Sequence, residues 1–83
     1  MSILILLRSL TYAQKAQRML WRRGIHADVV KAPQGSSDRG CTYAVKVSRR
    51  EAKDALRFLR EEKLETGRIL QRDEYGDWEV TEL

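Results

Sequence analysis

Eighty-three residues, 42% hydrophobic and 34% charged, describe one small globular domain spanning residues 1–83, near the lower end of what folds alone. The composition excludes a disordered tail, and no apolar run approaches the ~20 residues that span a bilayer. Sixteen Lys and Arg against twelve Asp and Glu leave a charge of +4, which permits nucleic acid, acidic proteins or anionic metabolites as partners and selects none of them.

The chain opens on "ILILL" (residues 3–7), short and apolar on both faces, the pattern of a central strand covered on both sides, or covered on one and contacted on the other. "MSILILLRSL" lacks the basic start, the longer apolar run and the small-residue cleavage site of an export signal. One cysteine forms no internal disulfide and supplies no Cys-cluster metal site, so the expected compartment is the reducing cytoplasm, with no metal and no cofactor.

Ser9 is placed to cap a helix whose apolar stripe is Tyr12, Ala13, Ala16, Met19 and Leu20, with Gly24 as its stop. "IHADVVK" (25–31) reads as a second strand ended by Pro33, and 34–40 as a polar Gly/Ser loop. "CTYAVKV" (41–47) alternates, with Cys41, Tyr43, Val45 and Val47 on one face. Ser48 and Glu51 have capping-box spacing ahead of a second helix carrying Ala52, Ala55, Leu56 and Leu59 and ending near Lys63. "GRILQR" is a fourth strand, and residues 73–83 form a C-terminal hairpin extension turning at Tyr75-Gly76-Asp77.

The order βαββαβ with two helical crossovers predicts a ferredoxin-like α+β two-layer sandwich. Helices cover one face of its sheet. The other face is expected to show apolar surface, which the hairpin or a second copy would cover.

Chemistry concentrates at residues 33–41. Cys41 is the candidate thiol. Pro33, Gly35, Ser36, Ser37, Arg39 and Gly40 form a loop able to turn backbone N–H groups and a cation toward a sulfur anion. The bland reading is equally simple: a small apolar residue at a strand's edge. His26 precedes the second strand with no assured link to Cys41, and no nucleophile–base pair, phosphate loop or paired catalytic carboxylates stand out. The chain is therefore not read as a complete enzyme. Nucleic acid ranks last among partners, because the first strand carries no aromatic on which a base could stack.

"SLTYAQKAQRMLWRRGI" followed by "VVKAPQGSSDRGCTYAVKV" resembles the small bacterial Se/S carrier-like proteins, over residues 3–70. Shared features are the strand, an alanine-bearing helix ending in Gly-Ile, a strand closing on Pro33, a loop with Ser36 and Ser37, and Gly40-Cys41 before an alternating strand. Thr42 departs from the glycine often found after that cysteine. The resemblance implies a sulfur or selenium carrier role for Cys41, with a donor or acceptor protein as partner. The alternative is a non-catalytic binding or regulatory module, either dimeric through its open sheet face or holding a small anion at 33–41.

Overall fold

The computed structural model describes residues 1–36 and 40–83. The elements are β1 (Ser2–Leu7), α1 (Leu10–Arg22), β2 (Asp28–Lys31), β3 (Tyr43–Ser48), α2 (Arg49–Glu61), β4 (Ile69–Arg72) and β5 (Trp78–Thr81). They build an α+β two-layer sandwich: two helices on a five-stranded sheet of order β2-β3-β1-β4-β5, every neighbouring pair antiparallel.

The register explains why "ILILL" is apolar throughout. Ile3 pairs with Val47 and Ile5 with Val45, which turns these side chains toward the helices. There Ala13, Ala16 and Leu20 of α1 and Ala52, Ala55, Leu56 and Leu59 of α2 meet them in the main core. Leu4 and Leu6 point the other way, as strand alternation demands, and join Cys41, Ala44 and Leu70 in a second cluster flanked by Val30, Ala32 and Trp78. Leu4 and Leu6 are 2% and 0% exposed. The expected apolar surface on the open face is therefore absent at the sheet centre; toward the edges Val30, Ala32 and Trp78 are partly buried and Val80 is 57% exposed.

Helix limits follow the capping residues, with two departures from expectation. In α1 the Ser9 hydroxyl accepts from the Tyr12 N–H at 3.3 Å, but Tyr12 itself is largely exposed and drops out of the stripe. In α2 Ser48 is the N-cap without a side-chain cap bond. Its hydroxyl donates to the Glu51 carboxylate at 3.3 Å instead. Ser48 is also the last residue of β3, paired with Ser2, so the strand fixes its backbone.

Both helices end in the same double bond. Ile25 N–H donates to Leu20 O at 2.9 Å and Gly24 N–H to Trp21 O at 3.0 Å, while Leu64 N–H donates to Leu59 O and Lys63 N–H to Arg60 O, each at 2.9 Å. This closure needs a left-handed residue after the cap. Gly24 supplies it at φ +78°, whereas α2 uses Lys63 at φ +59°. Left-handed geometry costs a side-chain-bearing residue about 1 kcal/mol, so Lys63→Gly is expected to raise stability by about that much, read as a higher denaturant midpoint at unchanged slope.

The hairpin turn is held by Asp73, whose carboxylate accepts from the N–H groups of Tyr75 (2.8 Å) and Asp77 (2.9 Å). Trp78 lies beneath the Arg72 guanidinium, 4.6 Å from its carbon to the ring centre, and Tyr75 stays in solvent. β5 thus becomes the outer strand on this side of the sheet. Residues 73–83 contain five carboxylates and no Lys or Arg.

Candidate functional site

Cys41 lies two residues before β3 begins. It therefore escapes the alternation that the sequence suggested. Tyr43 packs against the main core under the helices, whereas Cys41 belongs to the second cluster on the opposite face. The long β2–β3 connection is closed at its base by Ala32 N–H donating to Thr42 O at 3.0 Å, and Cys41 sits just inside that closure.

The sulfur rests on a glycine. Gly67 N–H donates to Leu6 O at 2.7 Å and Leu6 N–H to Arg68 O at 3.0 Å, which clamps the segment before β4 to the end of β1. A Cβ on Gly67 would stand 2.7 Å from Cys41 Sγ and 3.4 Å from Leu6 Cβ. The missing side chain is what makes room for the thiol. The same meeting of strand ends brings up Arg8, the first residue after β1. Arg8, Cys41, Glu65, Thr66 and Gly67 line a cleft of about 120 Å³. A second cleft of about 210 Å³, over Tyr12, Lys15 and the end of α2, shares Arg8 and Glu65 with the first.

Cys41 is 7% exposed, so a reagent meets it through this cleft. Arg8 is exposed, and among the described residues it has no hydrogen bond or ion pair, with Glu65 beyond salt-bridge distance. Thr66 adds a hydroxyl donor. The cleft can accommodate a small group on the sulfur and place a cation near it.

The other anticipated site residues behave differently. Pro33 and Ser36 bracket a turn in which both the N–H and the hydroxyl of Ser36 donate to Pro33 O. Gly35 sits inside it at φ +77°. Those two Ser36 donors are directed into the loop itself. Arg68 fastens the turn to the start of β4 by donating to Ser36 O at 3.4 Å. Gly40 is exposed, immediately before the thiol. Ser37 and Arg39 lie outside the described residues. His26 is solvent-facing, 3.2 Å from the Asp28 carboxylate.

Arg8 and Gly67 were not anticipated. Their signal is relational: antiparallel pairing of β1 with β4 sets the end of one against the beginning of the other, and neither segment shows it alone. Among the described residues no cluster of three His, Cys, Asp or Glu is gathered for a metal, and no helix is long and apolar enough to cross a membrane.

The family described as "Putative Se/S carrier protein-like" matches residues 2–71, from the first strand to the penultimate residue of β4. No curated protein and no solved structure matches the chain.

Proposed function

The chain belongs to this Se/S carrier-like family, and on that premise we propose that it is a thiol-based carrier whose sulfur or selenium rides on Cys41. One observation carries the reading: the single thiol stands outside the helix-side core, at a cleft it shares with Arg8 and Thr66. A persulfide or selenide ends in a charged atom that needs donors, and those two side chains offer them. The fold reading extends in the same way. The order β2-β3-β1-β4 with antiparallel neighbours supports a ferredoxin-like βαββαβ unit to which β5 adds an edge.

On this reading the protein is a carrier and not a complete enzyme. Among the described residues Glu65 is the one carboxylate lining the cleft, and the carrier hands its sulfur or selenium to a partner protein in the cytoplasm, where thiols stay reduced. The burial of Cys41 favours a second reading, a binding module in which the thiol merely fills space. A dimer through the open face has weaker support, because Leu4 and Leu6 are already covered within one chain.

Intact-mass measurement on protein purified natively, before any reductant, separates the readings. The carrier is expected to show a fraction heavier by one sulfur or selenium, absent from Cys41→Ser. A native protein without the addition, and resistant to alkylation until denatured, would leave only the binding module.

A further inference from the structure

We propose that Arg8 makes the approach to Cys41 selective for anions, and that the small molecule loading the thiol is an anionic sulfane donor of the thiosulfonate class. The proposal rests on the carrier reading and adds to it a substrate class and a specificity residue.

The inner cleft holds the sulfur, and Arg8 and Glu65 line both it and the outer cleft over α1. Among the described residues three cations, Arg8, Lys15 and Lys63, line the two clefts against two carboxylates, Glu62 and Glu65. The balance is small, so position decides its effect. Arg8 lines both clefts, and among the described residues no carboxylate engages it. Its charge is therefore available to an incoming ligand. The inner cleft, about 120 Å³, is large enough for about four waters at ~30 Å³ each. That admits the sulfur-bearing head of a small donor.

The transfer balances without a further reactant. The Cys41 thiolate attacks the outer sulfur of the thiosulfonate and forms a new S–S bond. The bond from that sulfur to the sulfonyl sulfur breaks, and the sulfinate leaves with the electron pair. A persulfide anion remains on Cys41, in the cleft that Arg8 also lines.

Paired alkylation tests the selectivity. Rates of native Cys41 with iodoacetate, an anion, and iodoacetamide, its neutral counterpart, are compared between wild type, Arg8→Gln and Arg8→Lys. Removing one nearby exposed charge should lower the iodoacetate-to-iodoacetamide ratio about fivefold in Arg8→Gln, with Arg8→Lys close to wild type and the difference shrinking as salt screens it. A ratio unchanged by Arg8→Gln overturns the role of Arg8 and leaves the carrier reading standing. Inertness of native Cys41 to both reagents overturns the carrier reading itself, and this proposal with it. For the donor class, benzenethiosulfonate should add one sulfur to the wild-type protein by intact mass. If iodoacetate reacts but benzenethiosulfonate adds no sulfur, the donor assignment is wrong.

Discussion

Leu6→Ala is expected to lower the unfolding free energy by about 3 kcal/mol, the usual cost of a cavity left by a buried leucine. A domain of 83 residues has a total stability of only about 4–12 kcal/mol, so the variant sits close to unfolding at moderate denaturant. The expectation is specific to this structure. Leu6 lies on the sheet face away from both helices, where a two-layer sandwich would leave it in solvent and its truncation nearly silent. Here its exposure is 0%, because it is enclosed with Leu4, Cys41, Ala44 and Leu70. Equilibrium urea unfolding decides the matter. A change under about 0.5 kcal/mol, the range of ordinary surface substitutions, would mean that this cluster is not sealed in solution.

Gly67→Ala should cost about 1–3 kcal/mol, the range for overpacking a filled site. Gly67 is not among the glycines at positive φ, so the added methyl is excluded by space and not by backbone conformation. That space is already taken by Cys41 Sγ, 2.7 Å from where the methyl would sit. The double variant Gly67→Ala/Cys41→Ala should then recover much of the loss, with a coupling of about 1 kcal/mol or more between the two sites. Strict additivity in the unfolding midpoints would show that the methyl is resisted by Leu6 alone. The same pair bears on chemistry, because any group pressed into the cleft by Gly67→Ala should also slow alkylation of the thiol.

The sequence makes the architecture legible where periodicity is strong. "ILILL" announces a central strand, both helices appear as stripes of alanine and leucine, and the hairpin turn is placed correctly around Gly76. It is weaker where one residue stands at a boundary. Cys41 looks like the first member of the Tyr43, Val45, Val47 face, but pairing begins only at Tyr43, and upstream of the ladder the chain is free to turn its side chain to the other side. Tyr12 shares the helical period yet is exposed, since it stands in the first turn of α1. The cleft was illegible for a different reason. Arg8 and Gly67 are 59 positions apart and come together through strand pairing, which a single sequence does not specify residue by residue. The sequence directed attention to the loop on one side of the thiol, whereas the described cation beside it comes from the end of β1.

The acidic hairpin strand has a bearing on how these molecules meet one another. Without β5, the free margin of the sheet would be β4, with Ile69 and Leu70 ready to recruit a foreign strand. With it, the margin displays Glu79 and Glu82 to water, and two copies drawing together along that border set carboxylate against carboxylate. Mutual repulsion there discourages endless sheet-to-sheet growth, a safeguard built from a segment that lies beyond the family's shared region.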